Sequence, residues 1–172
     1  MTRSTRFVLT GTLFGLAIAI FPPPTLAQSD PFIGKWQLNL AKSKFSPGPG
    51  PKSAAMNVQA EGENHNVTFA GINAEGNQQS LALTWLYDGM PHPVTANTEA
   101  NRLGLLGQPN IDARAFTRVD AYAVNISYIK AGKVVQTATA VVSRDGRTET
   151  ITSTGTDATG RPYNNTQIYE KQ

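Results

Sequence analysis

The 172-residue sequence contains no cysteine and only two histidines. No disulfide framework, thiolate nucleophile or cysteine metal site is therefore available, and the fold must be held by its core alone. His65 and His92 have no carboxylate or cysteine at ligand spacing. They read as solvent-facing residues of loops or strand ends, and no metal and no other cofactor is expected. Charged residues make up 16% of the chain and are scattered, with no basic cluster interleaved with aromatics, which argues against a nucleic-acid interface. No serine sits in an elbow motif, and neither Gly-rich stretch follows a strand and opens a helix, so triad and phosphate-cradle chemistry are not indicated. Past Pro51, no segment keeps helical spacing over the ten or so residues that a helix needs.

One long apolar run is present, and it comes first. Arg3 and Arg6 precede an apolar stretch from Phe7 to Phe21; Pro22-Pro23-Pro24 follows, and Thr25-Leu26-Ala27 supplies small residues at a cleavage site. The run falls short of the roughly 20 residues that cross a bilayer as a helix. The expected organisation is a signal peptide over residues 1–27, cut after Ala27, and one domain over 28–172 with no stable membrane anchor. The expected location is periplasmic or secreted. Losing Arg3 and Arg6 takes the formal charge from +3 to +1, which removes most of the basic character.

What remains is dominated by period-two alternation. Trp36, Leu38 and Leu40 alternate with polar residues; Ala41 to Lys44 has room for one helical turn; Ser46 to Pro51 is a Pro-Gly loop expected to cross one end of the structure. Alternating runs then recur at short intervals through Met56–Ala60, Val67–Phe69, Leu81–Tyr87, Leu103–Leu106, Ala113–Val119, Tyr122–Lys130, Lys133–Ser143, Arg147–Thr154 and Tyr163–Lys171. Between them lie turns such as Asp88-Gly89, Ala131-Gly132 and Asp145-Gly146, which are hairpin signals. The predicted fold is all-β, an antiparallel up-and-down barrel of about 8–10 strands; closure removes the edges that such a meander would otherwise expose. A two-sheet sandwich is the competing arrangement.

Several strand faces are small, mixed or aromatic-polar, which suits a barrel that keeps room for a ligand. Trp85 and Tyr87 share one face, and Arg114, Phe116 and Arg118 share another, opposite Ala113, Ala115, Thr117 and Val119. If the arginine face points inward, a cation is available for an acidic head group and aromatics for an apolar body; if it points outward, the aromatics are ordinary core. Thr148, Thr150, Thr152 and Thr154 form a threonine face, either solvated or ligand-facing. Asp88, Asp120, Asp145 and Asp157 all lie at turns, where Asp caps its own backbone.

Gly34-Lys35-Trp36, at the start of the first strand, resembles the Gly-x-Trp signature of lipocalins and related calycin barrels, and the ending Thr166 to Lys171 is similar to the last strand of fatty-acid-binding proteins. With Ala41–Ser46, Tyr87-Asp88-Gly89 and Gly155-Thr156-Asp157, the mature chain resembles small exported bacterial lipocalin-like proteins. The resemblance implies that Trp36 closes one end of the barrel beside Gly34, with a cation over it; Arg161 and Lys171 are the nearest available. It further implies that Tyr169 matches the family's final Tyr, while Gln167 stands where fatty-acid-binding proteins carry the Arg that pairs with the ligand carboxylate. The Pro-Gly loop replaces their helix pair. Taken together, Trp85, Tyr87, Arg114, Phe116, Arg118, Tyr128, Gln167 and Tyr169 are the candidate barrel lining. The expected function is non-catalytic carriage of a small, largely apolar ligand. A surface-interaction module with a filled barrel is the alternative, and an enzyme comes third.

Overall fold

The computed structural model describes residues 30–94, 111–156 and 161–172, and within them the alternating runs become strands. Among the described residues ten strands form one antiparallel sheet: β1 Gly34–Leu38, β2 Ser53–Glu61, β3 Asn64–Ile72, β4 Gln78–Trp85, β5 His92–Pro93, β6 Ala113–Asp120, β7 Ala123–Lys130, β8 Lys133–Val142, β9 Thr148–Thr156 and β10 Pro162–Lys171. Their order, β4-β3-β2-β1-β10-β9-β8-β7-β6-β5, is a meander whose first and last strands meet through β1 and β10. The sheet is an all-β, up-and-down, nearly closed barrel. The signal segment, the Leu103–Leu106 run and Asp157 lie outside the described residues.

One seam interrupts the ladder, between β4 and the β5–β6 pair. It is bridged by the Gly89 amide donating to the Phe116 carbonyl at 2.9 Å and by the rings of Trp85 and Phe116, whose centroids lie 4.5 Å apart.

Trp36 sits at one end of the barrel and is 1% exposed. Its indole N–H donates to the Phe32 carbonyl at 2.9 Å. Lys171 lies over it, with the ammonium 4.7 Å from the ring centroid and a 3.0 Å hydrogen bond to the Pro31 carbonyl. Gly34 has φ +139°, and a Cβ there would stand 2.9 Å from Lys171 Cε. The backbone conformation favours glycine at this position, and a larger residue would also have to displace the end of the Lys171 side chain. The covering cation is thus Lys171.

Two details differ from the sequence expectation. Ala41–Lys44 forms no helix; a turn closes from the Ser43 amide to the Leu40 carbonyl at 3.2 Å, and Lys44 pairs with Thr166. β10 offers open backbone partners here, and they outcompete an isolated helical turn. Met90 to Val94, an irregular stretch by sequence, contains the two-residue β5, which pairs with β6 through His92 and Pro93. The Pro-Gly loop lies at the end opposite Trp36 and is tied to β10 by Ser46, whose amide donates to Asn165 Oδ1 and whose carbonyl accepts from the Asn164 amide.

Candidate functional site

Two halves of the barrel wall differ in chemistry. The buried inward residues of β1 to β4 are Trp36, Leu38, Ala54, Met56, Val58, Val67, Leu81 and Trp85, with Phe69 and Leu83 packed against them; His65 is the polar exception. From β6 to β10 the inner face also buries Arg114, Gln136, Glu149, Ser153, Asn165 and Gln167. Groups of this kind are rarely buried without a hydrogen-bonding or binding role.

Register arranges these polar residues in rows. Nearest the Pro-Gly end, His92 pairs with Arg114, Arg114 with Tyr128, Tyr128 with Gln136, Gln136 with Gly155, and Gly155 with Tyr163. Arg114 is 5% exposed, its guanidinium carbon 5.4 Å from the Tyr128 ring centroid. Burial pulls the Arg114 pKa down and pushes the Tyr128 hydroxyl up. Gln136 Oε1 and the Tyr163 hydroxyl are buried with no hydrogen-bond partner among the described residues. Gly155 brings β8 and β9 close, since a Cβ would lie 3.0 Å from the Val135 carbonyl. A cleft of about 450 Å³ opens at the seam beside this row, lined by Leu83, Val94, Arg114 and Phe116 and also by outward-facing residues of β2 to β4 such as Asn57, Asn66, Thr68 and Thr84. That volume lies within the range of small-molecule sites.

The next two rows are mostly apolar: Phe116, Ile126 and Ala138, then Val124, Ala140 and Ile151. Their polar members on β10 are engaged, Asn165 with the Ser46 amide and Gln167 by accepting from the Tyr169 hydroxyl at 3.4 Å. Burial raises the Tyr169 pKa. The last row joins Val142, Glu149, Tyr169 and Leu38. Glu149 is 3% exposed and its Oε2 has no partner among the described residues. Burial pushes its pKa up to about 8, with Lys171 opposing the shift and Asp30 adding to it.

The sequence candidates therefore fall into two groups. Arg114, Phe116 and Tyr128 line the barrel towards the Pro-Gly end, with Trp85 packed on Phe116 and paired opposite His65; Gln167 and Tyr169 lie on the same inner wall, nearer the Trp36 end. The Arg114–Phe116–Arg118 face is the inward one, and Val119, on the opposite face, is 59% exposed. Tyr87 and Arg118 instead help to close the Trp36 end. Arg118 donates to Asp30 Oδ2 and stacks on Tyr87, 3.8 Å from the ring centroid. His65, expected in a solvent-facing loop, is instead on the inner face of β3, 3.0 Å from Asp30 Oδ2 and 4.6 Å from the Tyr87 ring. Strand alternation carries it inward, and Asp30 gives its Nε2 a partner. His92 pairs with Asp88, whose pKa is lowered first by the Met90 amide and then by His92. No group of three or more His, Cys, Asp or Glu able to hold a metal occurs among the described residues.

The threonine face of β9 points outward, and the inner face carries Glu149, Ile151 and Ser153. No local signal in the sequence marks Asp30 or Glu149. Asp30 lies 35 and 88 residues from its partners, and Glu149 sits among threonines in a run that reads as solvated.

The chain superposes on zebrafish ileal bile acid-binding protein complexed with cholic acid with a TM-score of 0.52 and 13% identity, covering 83% of this chain and 99% of that one. The fold is that of a calycin. As-p18, an extracellular fatty acid binding protein, is a second structure of this shape, with a TM-score of 0.51, 12% identity, and 83% and 97% of the two chains covered. No protein-family model and no curated protein sequence matches the chain. At such identities the likeness shows the calycin barrel and nothing finer about residues or ligand.

Proposed function

We propose that this chain is an exported, non-catalytic carrier that holds one small, largely apolar molecule inside its barrel. The observation that carries the reading is the division of the interior. An apolar wall from β1 to β4 faces a wall whose upper row presents Arg114, Tyr128, Gln136 and Tyr163. In this row Gln136 Oε1 and the Tyr163 hydroxyl are buried with no hydrogen-bond partner among the described residues, a cost in free energy that a bound polar head would remove. A ligand with an apolar body and an acidic or polar head would cover the first wall and engage the second. The structural neighbours are named for cholic acid and fatty acid, both molecules of that build. Export rests on residues 1–27, with their basic start, apolar run and small residues before Gln28.

Titration with 1-anilinonaphthalene-8-sulfonate, an apolar dye with an anionic group, tests this reading. One dye per chain should gain emission at saturation, and cholate or hexadecanoate should displace it. Arg114→Leu should weaken the dye about tenfold or more, since it removes a charge-assisted contact. A folded protein that takes up no dye has a filled interior and works through its surface.

A further inference from the structure

The rows of the inner wall place two polar stations at opposite ends of one apolar stretch. Six residues separate Gly155 from Glu149 along β9, and six separate Tyr163 from Tyr169 along β10. At about 3.4 Å per residue this is about 20 Å along the strand, a distance that an extended long-chain fatty acid spans. Between the stations the inner faces of β6 to β9 carry mostly Phe116, Val124, Ile126, Ala138, Ala140 and Ile151. The far station is Glu149, whose Oε2 is buried and has no hydrogen-bond partner among the described residues.

Resting on the carrier reading, we propose that Glu149 is a second ligand subsite. It takes an uncharged oxygen, hydroxyl or carbonyl, borne at the far end of a long-chain amphiphile whose acidic head lies in the Arg114 row. Glu149 is held largely as the neutral acid at pH 7, so its O–H donates to a ligand oxygen and its carbonyl oxygen accepts from a ligand hydroxyl. A plain hydrocarbon end leaves Oε2 unsatisfied, and that penalty turns a buried polar group into a specificity device. The preferred ligand is then an oxygenated long-chain acid and not a simple one.

Two probes of equal chain length decide it, hexadecanoate and 16-hydroxyhexadecanoate, titrated by dye displacement. The wild-type protein should bind the hydroxy acid about tenfold more tightly. In Glu149→Leu the ratio should fall to about one or invert, with hexadecanoate bound as well as before or better. A purely structural role for Glu149 would move both affinities together and leave their ratio intact. If the leucine variant does not fold, Glu149→Gln, which keeps shape and hydrogen bonding, should retain most of the preference, and the wild-type ratio decides alone. Equal affinities in the wild type, or tighter hexadecanoate, overturn the subsite and leave the carrier standing. Dye uptake without binding of either acid does the same, and failure of dye and acids alike removes both readings.

Discussion

Lys171 lies on Trp36, the last residue of β10 covering the third residue of β1, with its ammonium 4.7 Å from the indole centroid. The two strands are paired there, Trp36 opposite Lys171. The contact therefore locks the closure of the barrel at the point where the two ends of the meander meet.

Trp36→Ala should lower stability by roughly 3–5 kcal/mol, the usual range for emptying a buried aromatic site. Lys171→Met, which keeps an apolar stem over the ring but loses the charge and the bond to Pro31, should cost about 1 kcal/mol. Denaturant unfolding of both variants checks this. An unchanged midpoint for Trp36→Ala would mean that β1 is a peripheral strand.

Asp30 should couple to its distant partners more strongly than to any neighbour in sequence. It receives His65 from β3 and Arg118 from β6, on opposite sides of the seam that lacks a backbone ladder. Asp30→Ala leaves two partly buried donors unmatched and should cost about 2–3 kcal/mol. In a double-mutant cycle with Arg118→Ala the two losses should fall short of additivity by about 1 kcal/mol or more. Hydrogen exchange at the Gly89 amide, which stitches the same seam, should quicken in Asp30→Ala. Strict additivity with unchanged exchange would show that the seam holds without this tie.

The barrel was legible in the sequence for a simple reason. Strand alternation and hairpin turns are local, and each run from Met56 to Lys171 could be read without knowing its neighbours. Which face turns inward was not local. On β6 the choice lay between an Ala-Thr-Val face and an Arg-Phe-Arg face; hydrophobicity alone favoured neither, and the outcome rests on Tyr128, Tyr87 and Asp30 meeting those arginines. Glu149 and His65 were hidden likewise, because burial of a polar residue is fixed by partners far along the chain.

Stability should depend on pH through Glu149. Its folded pKa of about 8 lies above the ordinary value of 4.5, so folding favours the protonated acid. The contribution is fully present below about pH 4.5 and is lost progressively towards pH 8. Above that it is flat, at a total change of up to about 5 kcal/mol. The charged and titratable groups that interact with this acid are Lys171, Asp30, Tyr87, Tyr128 and Tyr169, and none of the tyrosines ionises within the window. The exposed carboxylates Asp88, Asp112, Asp145 and Glu170 have lowered pKa values, so their contribution is lost only as pH falls through a more acidic range. Glu149→Gln should abolish the decline between pH 5 and 8 and be the more stable protein at pH 8. Parallel pH profiles for wild type and Glu149→Gln would show that the acid is solvated.

Carriage of a small amphiphile in the barrel is read from native mass spectrometry of the protein purified from its own host. The expected spectrum holds a population heavier than the bare chain by one small molecule, released on denaturation and recovered in organic extract as a long-chain or ring-based acid. A homogeneous bare chain, unchanged in mass after incubation with host lipid extract, would contradict it.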